Sequence, residues 1–277
     1  MIDHGAPTSY FERIGEHRFR ATALTSGAWN TAEQHIAPMA GLVVHAMDRH
    51  VAARGNDGLV LARLSIDILG VVGVDEFDLT VETVRPGRTI ELLEAVATWR
   101  GRPVVRARGW RLAVADTTKV AGGEPDPLRH PDSFEPWSMG SVWPGGYITT
   151  LDVRPVVPTP GDPTGAGPQP GRAAVWVATK ADLVAGEEAS TVARFIGLVD
   201  TANGIAVRQS PQEWLFPNLD LTIYLYRQPE GGWVGLDTTV VFGSDGQGLT
   251  STVLHDVQGP VGRAEQILTV RPAPAGS

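Results

Sequence analysis

The chain repeats itself once. The stretch EQHIAPMAGLVVHAMDRHVAA at 33–53 carries apolar residues at helical spacing, and strand-like segments follow at 59–69, 75–85, 89–100 and 103–114. The same succession returns with ASTVARFIGLVDTANGIAV at 189–207, then strand-like segments at 214–227, 232–243, 248–257 and 260–271. Asp200 lies 155 residues after His45, and Asn218 lies 155 after Arg63. Pro260 lies 157 after Pro103, which aligns Gln266 with Gly109. A duplicated unit constrains architecture before any single motif does. Each unit is a long helix followed by an antiparallel meander whose apolar face needs a cover, and the unit's own helix is the natural one. Two units side by side predict an α+β fold in which two sheets pair and bury an interface between them.

Two stretches interrupt this grammar. Residues 121–146 (AGGEPDPLRHPDSFEPWSMGSVWPGG) are rich in Pro, Gly and Asp and read as a linker between an N-terminal unit, 1–120, and a C-terminal unit, 147–277. VPTPGDPTGAGPQPG at 157–171 reads as a surface loop. With 277 residues, 42% of them hydrophobic, the chain can build one large core or two of ordinary size. The balance of 23 basic against 31 acidic residues, without a Lys/Arg run, argues against nucleic acid or an anionic membrane as partner. No apolar run approaches the ~18 residues of a membrane span, and MIDHGAPTSYFERIG does not read as a signal peptide. A cytoplasmic protein is expected.

Chemistry is narrowed in the same way. There is no cysteine, hence no disulfide, thiolate metal site or cysteine nucleophile. The seven histidines show no ligand spacing, so no metal is expected, and no other cofactor. No G-x-S-x-G elbow is present. GSDGQG at 243–248 lies between two strands and reads as a hairpin turn, not a phosphate loop.

One residue stands out against its surroundings. In GLVDTANGI at 197–205, Asp200 follows the apolar Phe195, Ile196, Leu198 and Val199, where an ionised carboxylate is costly unless it is paired or used. Ile196, Gly197, Asn203 and Gly204 share its helix face, and both glycines cost helix stability unless something must approach closely. Asp200 could simply accept hydrogen bonds or cap a break at ANG; it could also be a general base or water-orienting group. Strand alternation places Asn218 with Asp220, Thr222, Tyr224 and Tyr226, opposite the apolar row Leu219, Leu221, Ile223 and Leu225, or at the strand entrance.

The motifs AEQHIAP, YITTLDVRPV, AVWVATKADLVAGEEAS, LVDTANGI, FPNLDLTIYLYRQPEGGWVGLD and GQGLTSTVLHDVQGPVGRAEQILTV, in this order, resemble the TesB-like acyl-CoA thioesterases. The resemblance runs from Phe11 to Pro272 and is most specific in the C-terminal half. It implies a tandem (double) hotdog: two long helices, each wrapped by an antiparallel sheet, the sheets pairing into one continuous sheet. It implies hydrolysis of an acyl thioester, on CoA or on an acyl carrier, with Asp200, Asn218 and Gln266 as the catalytic set. The family carries a hydroxyl residue where this chain has Asn218, and an amide can hold a water but cannot relay its proton. The helix start EQHIAP offers oxyanion donors near Gln34, His35 and Ile36, and with Asn203 and Gly204 these are the expected substrate-binding residues. In the first unit His45, Arg63 and Gly109 make no hydrolytic set, so one active site is expected. The alternative is a catalytically weak acyl-thioester-binding protein of the same fold. A hydratase is disfavoured, since no His follows Asp200 within eight residues. A homo-oligomer is left open.

Overall fold

His35 and Pro38 set the start of the first helix in the computed structural model, which describes residues 7–55, 57–156 and 169–274. His35 is extended (φ −70°, ψ 139°) and its Nδ1 accepts the Ala37 amide at 3.1 Å, capping helix α1 (Ile36–Ala52). Pro38 falls in the first turn, where its missing N–H would have had no helical partner. Every residue from Ala37 to His45 is buried, as suits a helix that is apolar all round. Arg49 and His50 in the last turn suit the negative end of the dipole.

The N-terminal unit adds strands β1 (Ser9–Arg13), β2 (Arg18–Ala21), β3 (Leu59–Ile68), β4 (Glu76–Arg85), β5 (Ile90–Trp99) and β6 (Arg102–Ala113). After the connecting segment comes a short helix α2 (Gly146–Thr149), then β7 (Leu151–Pro155), β8 (Arg172–Thr179) and β9 (Asp182–Val184). The loop expected at 157–171 lies, through residue 168, outside the described residues.

Ser190 caps the second helix: its Oγ accepts the Ala193 amide at 3.1 Å and donates to Asp48 at 2.7 Å. Ser190 stands 155 residues after the other cap, His35. The single helix expected over 189–207 is broken. Helix α3 (Thr191–Val199) ends one residue before Asp200, and helix α4 (Ala202–Ile205) starts two after it. The chain continues with β10 (Trp214–Leu215), β11 (Asp220–Leu225), β12 (Val234–Phe242), β13 (Gln247–Asp256), β14 (Gly259–Thr269) and β15 (Arg271–Pro272), of which β10 and β15 pair only with each other.

The other thirteen strands form one sheet in the order β7-β8-β12-β13-β14-β11-β3-β6-β5-β4-β2-β1-β9. Both halves use the same neighbour sequence, β1-β2-β4-β5-β6-β3 and β7-β8-β12-β13-β14-β11, and meet through the antiparallel pair β3–β11. Leu221 pairs with Ile66 at that seam, a separation of 155, so the repeat seen in sequence is a two-fold relation about this pair. The strand ladders correct one alignment. Thr222 pairs with Glu265, and its counterpart Asp67 pairs with Arg106, so Gln266 corresponds to Ala107 and not to Gly109. The offset grows along the unit because the turns between strands differ in length.

Strand β9 follows β8 after two residues yet pairs with β1 at the far end of the sheet. The sheet therefore curls round until its ends meet, and Tyr10 of β1 hydrogen-bonds Thr179 of β8 at 3.0 Å. Helices α1 and α3 pack on each other, crossing at Gly41 and Gly197. A Cβ on Gly41 would stand 2.8 Å from the Ala193 carbonyl oxygen and 3.0 Å from Gly197 Cα, so only glycine permits this approach. One apolar core runs through both units. Among the described residues no helix is long and apolar enough to cross a membrane.

Candidate active site

The break between α3 and α4 leaves Asp200 as the residue that caps the C-terminus of α3, 5% exposed, with its carboxylate turned toward the seam between the units. Its Oδ1 accepts two amide hydrogen bonds, from Asn218 Nδ2 and from Gln266 Nε2, each 2.8 Å. These lower the cost of ionisation, but burial outweighs them and lifts the carboxyl pKa to about 7. A group poised near neutrality can hold a proton or release it at little cost, which is what a general base requires.

The other carboxylate oxygen, Oδ2, has His35 Nδ1 3.4 Å away. This is not an ion pair: burial lowers the imidazole pKa to about 4, so the ring is neutral near pH 7. Because Nδ1 accepts the Ala37 amide, the proton of the neutral ring sits on Nε2. The ring is held against Tyr147, centroids 4.3 Å apart, and the Tyr147 hydroxyl meets Thr201 Oγ1 at 2.7 Å. The hydroxyl nearest Asp200 in sequence is thus committed to Tyr147.

The helix-start amides are not equally available. Gln34 N–H donates to Val72 O and His35 N–H to Thr25 O, both at 2.8 Å, because this segment is anchored to the loops on either side. Ala37 N–H goes to the His35 ring and Pro38 has none. Ile36 N–H is left as the free donor of the first turn. The Gln34 side chain donates to Gly73 O at 2.7 Å, tying the loop after β3 to the helix start.

Asn218 departs from the alternation expected of its strand. Leu221, Ile223 and Leu225 are buried, but Leu219 is 49% exposed. Asn218 Nδ2 donates to Asp220 O at 3.0 Å, and this local turn shifts the phase between Asn218 and Leu221, swinging Asn218 toward Asp200. Both Nδ2 hydrogens are then used and the Asn218 carbonyl oxygen is left as an acceptor. Gln266 lies behind Asp200, 1% exposed. Asn203 is committed elsewhere: its Nδ2 donates to Phe216 O at 3.1 Å and its Oδ1 accepts from Thr250.

A cavity of about 600 Å³ opens in front of Asp200 and Asn218, with His35, Ile36, Asn203 and Gly204 in its wall. Trp143, from the segment read as a linker, forms another part of that wall, and its Nε1 donates to Gly204 O at 2.8 Å. Trp143 did not stand out in the sequence, and Tyr147 entered only as the first residue of the motif YITTLDVRPV. Beside them stands the pair Gly145–Gly146, where a Cβ on Gly146 would meet Ala23 O at 2.0 Å.

The symmetry-related position in the N-terminal unit is an ion cluster. His45 meets Glu187 at 2.8 Å, and Glu187 is also bound by Arg13 at 2.6 Å, with Arg49 at 3.4 Å. Among the described residues no group of three or more His, Asp or Glu is placed to hold a metal ion.

The sequence matches the acyl-CoA thioesterase C-terminal domain over residues 123–270 and the acyl-CoA thioesterase N-terminal domain over residues 25–112. No curated protein matches it. Among solved structures, a conserved protein of unknown function with hot dog fold from Alicyclobacillus acidocaldarius is similar at TM-score 0.73 and 12% identity, covering 97% of both chains. Acyl-CoA thioesterase II TesB2 from Mycobacterium marinum is similar at TM-score 0.63 and 14% identity, covering 96% of both chains. The TesB protein of Mycobacterium avium subs paratuberculosis is similar at TM-score 0.66 and 15% identity, covering 96% of this chain and 97% of that one. At these identities the likeness is one of fold, the hotdog fold. Two matches in succession cover most of the sequence, and on that ground this chain belongs to the acyl-CoA thioesterase family.

Proposed function

We propose that this acyl-CoA thioesterase cleaves its substrate by direct attack of a water molecule that Asp200 activates. The observation that carries the reading is the asymmetry of the carboxylate: both amide donors bind Oδ1, which leaves Oδ2 without a donor of its own, 3.4 Å from the His35 ring, in a cavity-lining carboxyl with a pKa of about 7. The water donates one hydrogen to Asp200 Oδ2 and the other to the Asn218 carbonyl oxygen, which aims its lone pair at the thioester carbon. Asn218 orients this water and Asp200 takes its proton, so the hydroxyl that Asn218 replaces is not needed as a relay. Gln266 touches neither water nor substrate; it fixes the carboxylate. As the C–O bond forms, negative charge gathers on the carbonyl oxygen, toward which Ile36 N–H and the His35 Nε2–H serve as donors. Collapse breaks the C–S bond, the thiolate takes the proton from Asp200, and free acid and CoA leave.

The architecture behind this reading is a tandem hotdog, with units 1–120 and 147–277 joined by 121–146. Its support is the repeated strand order and the shared separation of 155. The N-terminal unit supplies His35 and Ile36 and the C-terminal unit the carboxylate and its amides, so one site is built at the seam, in an enzyme we place in the cytoplasm. The test is release of free thiol from acyl-CoA thioesters of graded chain length. Asp200→Asn should lower kcat by at least about 100-fold, the lower range of a lost general base. A folded wild-type protein that turns over no acyl-CoA, or an Asp200→Asn variant that keeps its kcat, would overturn the reading.

A further inference from the structure

The cavity in front of Asp200 carries one guanidinium in its wall. Of the described residues that line it, Glu33 and Asp200 are the carboxylates, His35 is neutral near pH 7, and Arg271 is the single cation. Arg271 is exposed, its Nη1 donates to the neutral Thr269 Oγ1 at 2.9 Å, and among the described residues it makes no ion pair. Elsewhere the partly buried arginines are matched to carboxylates, Arg111 to Asp57 and Glu91, and Arg227 to Asp256. A guanidinium that keeps most of its donors unspent beside a cavity is a ready contact for an anion.

The backbone ties this cation to the reacting groups. Asn218 bridges to Leu268, Pro217 O accepts the Thr269 amide at 3.0 Å, and Leu215 pairs with Arg271. Arg271 therefore ends a two-stranded ladder that begins at Asn218, and Leu215, Pro217 and Asn218 line the same cavity. Three residues of chain separate it from Leu268, so at most about 11 Å of backbone lies between them. The pairing keeps Leu268 about 5 Å from Asn218. In an acyl-CoA the pantetheine arm between sulfur and first phosphorus has as many chain atoms as four residues of backbone, a reach of ~14 Å when extended. An arm laid along this ladder from a thioester held at Asp200 and Asn218 brings its phosphate into the range of the Arg271 side chain. The exposed Leu69, Val71 and Leu219 line the cavity as apolar wall for that arm.

We propose that Arg271 recognises the phosphate attached to the pantetheine arm and makes the site selective for phosphopantetheine thioesters over thioesters of simpler thiols. A guanidinium meets phosphate with paired, charge-assisted hydrogen bonds, and neither carboxylate of the wall competes for it as an ion-pair partner. The same phosphate occurs in CoA and in the prosthetic arm of an acyl carrier, so the chemistry is shared and the assay separates the sources. Cleavage as the readout rests on the hydrolase reading; recognition of the phosphate does not.

The test compares butyryl thioesters of pantetheine, phosphopantetheine, dephospho-CoA, CoA and acyl carrier protein as substrates of the full chain and its variants. The wild type should use the phosphopantetheine thioester at least about tenfold better in kcat/KM than the pantetheine one, the worth of one charge-assisted hydrogen bond. Arg271→Gln should lower that ratio by about tenfold, and Arg271→Lys, which keeps the charge without the fork, should lower it less. Equal losses on phosphopantetheine, dephospho-CoA and CoA support a contact with the first phosphate, and a loss confined to CoA overturns it. A matching loss on the carrier thioester supports recognition of the phosphate from either source, and a loss on the free thioesters alone supports CoA as the source. A wild type indifferent to the phosphate overturns the proposal whether or not any variant folds, and so does an unchanged ratio in Arg271→Gln. A loss that instead follows a carboxylate on the acyl group, glutaryl over butyryl, also overturns it. If nothing is cleaved, the hydrolase reading fails separately, and calorimetric affinities for non-cleavable butyl thioethers of phosphopantetheine and pantetheine decide. Tighter binding of the phosphorylated thioether, lost in Arg271→Gln, supports the contact, and equal affinity overturns it.

Discussion

Replacing Asp200 by asparagine should make the protein more stable while it abolishes hydrolysis. The folded pKa of Asp200 is about 7 against an ordinary 3.8. Below pH 3.8 both folded and unfolded chains hold the proton, and the position carries no ionisation cost. As pH rises from there to about 7 the unfolded chain has released its proton and the folded chain still keeps it, so stability falls; above about 7 the loss is complete. A gap of about three pK units at 1.36 kcal/mol each makes that loss about 4 kcal/mol. Asparagine keeps a carbonyl oxygen for the Asn218 and Gln266 donors and turns its own amide toward the cavity. Relaxation around the buried charge trims the gain, so Asp200→Asn is expected to be about 2–4 kcal/mol more stable at pH 8.5, relative to its difference at pH 4. Guanidinium unfolding of both proteins at the two pH values measures it. A stability difference that does not change with pH, or a variant that is less stable at pH 8.5 than at pH 4 relative to wild type, would refute the argument that burial outweighs the two amide bonds at this carboxylate.

Wild-type kcat/KM should rise with pH to a plateau, with a midpoint near pH 7 and a tenfold fall per unit below it, as the ionised fraction of Asp200 dictates. Gln266→Leu removes one donor from the ionised form and should move that midpoint upward by about one unit, read from the pH profile of thiol release. Gly41→Ala drives a methyl group to 2.8 Å from the Ala193 carbonyl and should cost about 1–3 kcal/mol in urea unfolding through strain at the helix crossing.

Much of the architecture could be read from local pattern. Strand β3 was expected at 59–69 and spans Leu59–Ile68; β5 was expected at 89–100 and spans Ile90–Trp99. Alternation of side chains and the Gly and Pro of tight turns act over a few residues, so they survive without tertiary context. The repeat carried further, because two copies of one unit on a common offset demand related positions in space, and the seam Leu221–Ile66 obeys the same offset as the helix caps. Asp200 was legible too, as a carboxylate in an apolar run.

The working form of the site was not legible. Helical spacing continues through Asp200, but the helix breaks there; a break at ANG was one of the readings its sequence left open, and the sequence did not decide for it. The inward turn of Asn218 follows from a hydrogen bond two residues along that overrides strand alternation. Gln266 meets Asp200 only because β14 lies beside β11, and His35 meets it only because α1 crosses α3 at Gly41 and Gly197. Trp143 comes from a stretch whose composition suggests nothing but a connection, and Tyr147 from the residue just after it. Periodicity and turn chemistry, which act within a few residues, determined the elements and their duplication. Which side chains face one carboxylate across up to 165 residues of chain was decided by sheet register and helix crossing, because only packing of distant elements can desolvate Asp200 and bring it donors on a single oxygen.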